Sequence, residues 1–238
     1  MRLDSTDVVA REYATEQGLE ARRSIYTDAE GPDPKQILWE AVFAAAPRRL
    51  LEVGPGPGEL SERIADELGT AVVAVDVSER MVELARARGV DARVGDVQHL
   101  ELEDAAVDLV VAAWMLYHVP DLDRGLREIV RVLEPGGRLV AATNSEHHLE
   151  EIRALAGVSM VGRVSFSREN GAVSLRRHFT VVEQHDADQW VTFPDAAAVR
   201  RYFGATVVLQ SGADRVPDLG GPVRAGARAT VFVAEKAR

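Results

Sequence analysis

The sequence predicts an α/β protein with a doubly wound, mostly parallel sheet and helices on both faces. Two observations carry this prediction. Short apolar runs that end in a glycine or an acid alternate with segments whose apolar residues recur at helical spacing. The run at residues 107–113 is apolar almost throughout, as expected for a central parallel strand covered on both faces. The predicted strands are residues 50–53, 71–75, 90–94, 107–113, 138–143 and 229–234.

Residues 1–35 precede the first strand and are polar and helix-compatible until the turn residues Gly31, Pro32 and Pro34. We predict that they form a helical cap or flap over the carboxyl edge of the sheet, with Arg23 close to a carboxylate of whatever binds there. The alternative is a surface helix whose aromatic residues pack on the main domain.

The stretch at residues 49–76 organises the chain. A buried strand leads into three glycines at alternate positions, Gly54, Gly56 and Gly58, then into a helix and a second strand that ends at Asp76. Glycines allow a ligand to approach the backbone, and the free N–H groups of the helix N-terminus face it. Because parallel strands open on one crevice, Asp76 could accept hydrogen bonds from both hydroxyls of a ribose. The stretch therefore predicts a nucleoside-containing cofactor.

A second acid, Asp96, follows the third strand twenty residues after Asp76. It could accept a hydrogen bond from the amino group of an adenine. A single acid at such a position is more often a helix cap or a turn residue, but two at successive strand ends are harder to explain in that way.

Beyond residue 145 the alternation of strands and helices is less regular. Residues 166–193 predict short alternating strands, residues 196–203 a short helix, and residues 229–234 a closing strand. We expect three segments: the cap at residues 1–35, a cofactor-binding core at residues 36–145, and, at residues 146–238, a substrate-side elaboration with the closing strands of the same domain.

The spacing of the glycines separates two classes of cofactor. In the dinucleotide fingerprint G-x-G-x-x-G the third glycine comes five residues after the first. Here it comes four residues after, and position 59 is Glu. The loop therefore departs from the nicotinamide pattern.

The motifs in order resemble those of class I S-adenosylmethionine-dependent methyltransferases. Residues 52–58 (EVGPGPG) resemble the first motif, Asp76 occupies the position of the ribose-binding acid, and residues 94–97 (VGDV) resemble the adenine-contacting motif. Residues 107–113 and 133–139 resemble the fourth strand and the turn before the fifth. The resemblance covers about residues 48–145 and is nearest to the small-molecule branch that shares a methyltransferase type 11 domain.

The resemblance implies a Rossmann-like sheet with an antiparallel final strand, and S-adenosylmethionine as cofactor with S-adenosylhomocysteine as product. It also implies which residues bind the cofactor: Glu52, Gly54, Gly56 and Gly58 at the methionine part, Asp76 at the ribose, Val77 and Met81 against the adenine, Asp96 and Val97 at the adenine amino group, and Ala113 and Trp114 at the sulfonium side. For Met81 and Val97, plain core packing is the alternative.

In-line displacement at the sulfonium methyl group mainly requires that nucleophile, methyl group and sulfur are aligned and that water is excluded. A base is needed only if the nucleophile must lose a proton. His118 is the first candidate, with Tyr117 beside it, although a histidine there is often structural. His147, His148 and His178 are weaker candidates, and no metal site is expected.

Composition excludes several classes. The chain has no cysteine, which removes disulfides, thiolate metal ligands and thiol nucleophiles. The net charge of −10 argues against a surface that follows nucleic-acid phosphates. No apolar run is long enough for a membrane span, and the N-terminus lacks the apolar core of a signal peptide, so we expect a cytoplasmic protein.

These observations predict a methyltransferase that acts on a small-molecule acceptor by in-line displacement. The alternatives are an RNA or protein methyltransferase, a protein that binds S-adenosylmethionine or S-adenosylhomocysteine without catalysis, and, last, a nicotinamide dehydrogenase. The sequence does not indicate the acceptor, the methylated atom (O, N, C or S) or the oligomeric state.

Overall fold

A seven-stranded sheet with strand order β3-β2-β1-β4-β5-β7-β6 forms the centre of the molecule. The computed structural model describes residues 3–4, 8 and 16–238 and, for residues 16 and 17, the backbone alone. Much of the predicted N-terminal cap therefore lies outside the described residues. The strands are β1 (Arg49–Val53), β2 (Ala71–Asp76), β3 (Asp91–Val94), β4 (Val107–Ala113), β5 (Leu133–Asn144), β6 (Val181–Phe193) and β7 (Val223–Glu235).

Helices cover both faces of this sheet. They are α1 (Glu16–Ser24), α2 (Pro34–Ala45), α3 (Glu59–Leu68), α4 (Glu79–Ala87), α5 (Leu122–Val132), α6 (Glu150–Leu155), α7 (Gly171–Leu175) and α8 (Ala196–Gly204), with 3₁₀ turns at Leu116–His118 and Gln210–Arg215. Several begin where a side-chain oxygen accepts a backbone N–H of the first turn, as Ser78 does for α4 and Asp121 for α5. Within the described residues, no helix is both long enough and apolar enough to cross a bilayer.

The strand directions confirm the predicted fold class. Strands β1 to β5 pair in parallel, and β7 runs antiparallel to both of its neighbours, β5 and β6. Leu50, Leu51 and Val53 of β1 are completely buried because helices lie on both faces. The antiparallel final strand is therefore present as expected.

The C-terminal part differs from the sequence-based prediction. Residues 166–193 were expected to form short alternating strands, but they contain the short helix α7 and a single 13-residue strand, β6. Strand β7 is also 13 residues long and begins six residues before the predicted closing strand. Each of the two long strands is stabilised by pairing with the other along its whole length.

The hairpin of β6 and β7 extends beyond the end of β5. The last pair between β5 and β7 joins Asn144 to Ala229, so residues 223–228 and their partners at 188–193 project past the carboxyl edge of the sheet. Together with α6 and α8 they enclose a second hydrophobic core, which includes Phe193 and Phe203. We call this part of the molecule, residues 145–162, 188–216 and 223–228, the cap layer.

Candidate functional site

The glycine loop between β1 and α3 is folded tightly against its neighbours. Gly54 has φ = 65°, its N–H donates to Val75 O at 2.8 Å, and an added Cβ would lie 2.7 Å from Cβ of Met115. Gly58 has φ = 84°, and an added Cβ would lie 2.7 Å from Cβ of Ala85. Beside Gly56, by contrast, the space is open. The loop therefore packs on both sides and leaves its middle accessible.

Asp76, at the end of β2, lies against this loop. Its carboxylate accepts a hydrogen bond from the backbone N–H of Ser78 at 2.9 Å, and the backbone N–H groups of Gly56 and Val77 also lower its pKa. Burial raises the pKa of the Asp76 carboxyl above its usual value, and the N–H donors oppose that effect. The fold thus brings together the glycine loop and the acid that the sequence singled out.

Glu52 lies beneath the loop and is only 2% exposed. Its carboxylate accepts a short hydrogen bond from the Ser61 hydroxyl on α3. Burial raises the pKa of Glu52 to about 7, and the nearby Asp76 adds to the shift while Ser61 opposes it. A carboxyl group with such a pKa can exchange a proton near neutral pH.

Asp96 lies beside Asp76, since Gly95 N–H donates to Asp76 O at 3.0 Å. Its carboxylate accepts hydrogen bonds from the Gln98 backbone at 2.8 Å and from the Gln98 side-chain amide at 2.9 and 3.1 Å. An adenine amino group would share this carboxylate with Gln98, a residue that the sequence analysis did not identify.

The apolar residues predicted to contact the cofactor divide into two sets. Met81 and Val97 are 1% and 5% exposed, so their side chains lie in the core. Val77 is 58% exposed and presents an apolar surface next to Asp76. Of the three, only Val77 has an exposed side chain that a planar ring could cover.

The end of β4 turns sharply above the loop. Trp114, which follows Ala113, has φ = 54°, an uncommon value for a residue with a large side chain. Its backbone N–H donates to Ala142 O at 2.8 Å, and its Nε1–H donates to Asn144 Oδ1 at 3.1 Å. This conformation directs the chain so that Met115 packs on Gly54. Asn144 is a second residue that the sequence analysis did not identify.

His118 is held by the N-terminal segment. Its Nδ1 lies 2.9 Å from the carbonyl oxygen of Leu3, so Nδ1 carries the proton and donates it. Burial lowers the pKa of His118 to about 4, which keeps the ring neutral at physiological pH. The Tyr117 ring meets it edge-on, with the centroids 4.4 Å apart. The role of both residues as base candidates stays a prediction.

Arg23 of α1 forms an ion pair with Glu59 at 2.7 Å, at the start of α3. This pair connects α1 to the helix that follows the glycine loop.

A polar cluster in the cap layer joins residues far apart in sequence. The Tyr26 hydroxyl lies 2.9 Å from His148 Nε2, and His148 Nδ1 lies 3.0 Å from Arg228 O. Since the carbonyl can only accept, Nδ1 is the donor and Nε2 accepts from Tyr26. Burial raises the pKa of the Tyr26 hydroxyl well above its usual value, and the nearby Tyr202 adds to this effect. Across the described part of the chain, no group of three histidines, aspartates or glutamates is placed to hold a metal ion.

Comparison with known proteins identifies similarity to methyltransferases. Residues 51–141 match the model of the methyltransferase domain. An uncharacterized methyltransferase of Mycobacterium tuberculosis is 34% identical over 163 residues, which cover 67% of this chain and 64% of that protein. A ubiquinone biosynthesis O-methyltransferase of Xanthomonas oryzae is 36% identical over 152 residues, covering 58% and 63%. The matched part thus spans less than two thirds of the length of either relative.

Solved structures show the same fold at low identity. Phosphoethanolamine N-methyltransferase 2 of Haemonchus contortus, in complex with S-adenosyl-L-methionine, has a TM-score of 0.64 at 18% identity, covering all of this chain and 60% of that one. The [4+2]-cyclase SpnF has a TM-score of 0.59 at 23% identity, covering 85% and 80%. At these identities the likeness concerns the fold alone.

Proposed function

Because this chain carries a methyltransferase domain of the class I, S-adenosylmethionine-dependent family, we propose that it transfers a methyl group to a small-molecule acceptor. The observation that carries the proposal is the position of Asp76 against the glycine loop: Gly54 N–H donates to the carbonyl of Val75, the residue before Asp76, and the Gly56 N–H lowers the pKa of the Asp76 carboxyl. It places a carboxylate and an open stretch of backbone in one crevice, as a nucleoside with a charged tail requires.

The residues present fit such a cofactor. Asp76 would hold the ribose, the exposed Val77 would lie against the adenine, and Asp96 would accept from the adenine amino group. Glu52 and the backbone of the glycine loop would face the methionine part. The bound cofactor supplies an activated methyl group on a sulfonium centre.

The protein would then need only to orient the acceptor and the cofactor and to exclude water. The turn at Trp114 would close the sulfonium side of the crevice, and the cap layer would enclose the acceptor and align its nucleophile. His118 Nε2 could accept a proton from a nucleophile that must lose one, but burial, which lowers its pKa to about 4, makes His118 a weaker base than an exposed histidine.

Support for a small acceptor comes from the names of relatives, which include a ubiquinone O-methyltransferase and a phosphoethanolamine N-methyltransferase. The net charge of −10 also disfavours a nucleic-acid acceptor. A second candidate is a protein that binds the cofactor without transferring its methyl group, since the same fold occurs in SpnF, which is named as a [4+2]-cyclase and not as a methyltransferase.

Calorimetric titration with S-adenosylmethionine, S-adenosylhomocysteine and NAD tests the cofactor. We expect the first two to bind and NAD not to bind. Asp76→Ala should weaken binding about a hundredfold because it removes charge-assisted hydrogen bonds to the ribose. Asp66→Ala, which removes an exposed carboxylate from α3, is the matched control and should bind normally.

A folded wild-type protein that binds neither sulfur compound would contradict the proposal. Binding without S-adenosylhomocysteine formation over a panel of phenols, amines and thiols would favour the second candidate.

A further inference from the structure

Arg153 of α6 is a buried cation whose donors are incompletely used. Its side chain belongs to a residue that is 4% exposed. Nη2 donates to Glu146 O at 2.6 Å, but Nε and Nη1 have no hydrogen-bond partner in the described part of the chain. Of the five N–H donors of a guanidinium, the one on Nε and the two on Nη1 are therefore unused. Buried polar groups nearly always have a hydrogen-bond partner. We therefore expect a bound molecule to supply the partner that the described residues do not.

The carboxylates beside Arg153 already have partners. Glu151 accepts from Arg228 Nη2 at 2.8 Å and from Gly226 N–H at 2.9 Å. Glu150 lies 2.6 Å from His147 Nδ1. Neither glutamate forms an ion pair with Arg153 among the described residues, although both lower the cost of its charge at longer range.

Arg153 lines a cavity of about 320 Å³ in the cap layer. The walls are apolar at Ala154, Val158 and Val161, and Ser159 adds a hydroxyl. The two glutamates form the rest of the lining. The volume suits a small molecule with an apolar part, and Arg153 is the only cation among the described residues that line the cavity. Its Nε and Nη1 are themselves buried, so an anion reaches them only when the lining side chains move.

The segment that leaves β5 contacts both Trp114, beside the crevice, and Arg153, beside the cavity. Asn144, the last residue of β5, bonds to Trp114, and Glu146, two residues later, accepts the hydrogen bond from Arg153. Glu146 Oε2 also accepts from Gly162 N–H at 2.6 Å, which folds the segment after α6 back over the cavity.

We propose that this cavity is an anion subsite in which Arg153 binds the carboxylate or phosphate group of the methyl acceptor. The proposal rests on the proposed function and names the acceptor class: a small molecule with an apolar part and an acidic group. Arginine suits the task because its planar donors match the oxygens of both groups.

Thermal unfolding with inorganic phosphate or acetate, at constant ionic strength, tests the subsite. Either anion should raise the melting temperature of the wild type. Arg153→Met should not respond, and without anions it should melt at the same or a higher temperature, because an uncompensated buried charge is gone. Arg153→Lys keeps the charge, and the phosphate Kd obtained from its melting temperatures should be about ten- to hundredfold higher than that of the wild type. Arg163→Met, which removes an exposed arginine, should respond like the wild type.

Equal responses of the wild type and Arg153→Met, or no response of the wild type, would overturn the subsite. S-Adenosylmethionine binding is measured on the same samples and should be unchanged in Arg153→Met. If the cofactor binds and the anions do not, only the subsite fails; if the cofactor does not bind, the proposed function fails.

Matched acceptor pairs, with and without a carboxylate or phosphate, test the occupant. The charged members should have the higher kcat/KM, and Arg153→Met should raise their KM about tenfold or more with little change in kcat. Equal kcat/KM within the pairs would show that the anion is not part of the acceptor.

Discussion

The folded structure changes the protonation of Glu52 near neutral pH, and this change can be measured through stability. Its pKa is about 7 in the folded protein, against an ordinary value of 4.5, because it is buried. The folded state therefore keeps a proton that the unfolded state has lost between these two values. It follows that the Glu52 contribution to stability is present below about pH 4.5 and is lost as the pH rises through about 7.

We expect Glu52→Gln to remove this dependence. Between pH 5 and pH 8 the free energy of unfolding of the wild type should fall by about 2 to 3 kcal/mol more than that of the variant, because only the wild type loses the Glu52 contribution. Urea unfolding at both pH values, without cofactor, measures the difference. Glu103→Gln, at an exposed position, is the control. A wild type and variant with parallel pH profiles would show that Glu52 ionises normally.

At the scale of elements, the glycine loop depends on how closely α3 approaches α4. Both ends of α3 have a left-handed glycine, Gly58 with φ = 84° and Gly69 with φ = 65°. A Cβ at position 58 would meet Ala85 at 2.7 Å, whereas one at position 69 would have no atom within 4 Å. Alanine would therefore be strained at both positions, but only at position 58 would its Cβ also clash with Ala85.

Gly69→Ala should lower the free energy of unfolding by about 1 to 2 kcal/mol, the cost of a left-handed alanine. Gly58→Ala should lower it by about 2 to 4 kcal/mol, because α4 must also move away. Urea unfolding of both variants measures the difference. Equal losses would mean that the contact with Ala85 is relieved without cost.

The same elements show what the sequence could predict. Strands β1, β2 and β4 are apolar runs that local pattern identifies. The parallel order of β2 and β3 then brings Asp76 and Asp96, at their ends, into one crevice. Strand β6 has a largely exposed first half and is stabilised by pairing with β7, which periodicity does not report. Asn144 was missed because its contact with Trp114 spans 30 residues, and the contact between Tyr26 and His148 spans 122. Gln98 lies only two residues after Asp96, so its contact is local and the sequence around Asp96 could have indicated it.

Over the whole molecule, α1 and the residues after it join the cap layer to the glycine loop. Arg22 Nη1 donates to Ala205 O at 2.7 Å, Tyr26 bonds to His148, and Arg23 pairs with Glu59. The first two contacts lie in the cap layer, and the third lies beside the crevice. We propose that this segment acts as a flap over the crevice and moves when the cofactor enters.

The absence of cysteine from the sequence allows a direct test of this flap. Arg23 and Glu59 are 41% and 51% exposed, so the variant Arg23→Cys/Glu59→Cys can be joined by a short bismaleimide. We expect the cross-link to slow the association of S-adenosylmethionine about tenfold or more, measured by stopped-flow fluorescence, because the segment can no longer open.

The control is Arg63→Cys/Glu67→Cys, which replaces an exposed ion pair within α3 and ties the helix only to itself. It accounts for the loss of an ion pair and for the reagent, and its association rate should not change on cross-linking. If both cross-linked proteins bind the cofactor as fast as their unlinked forms, the crevice is reached without movement of α1. The contacts of Arg22, Arg23 and Tyr26 would then stabilise the cap layer and would not control entry.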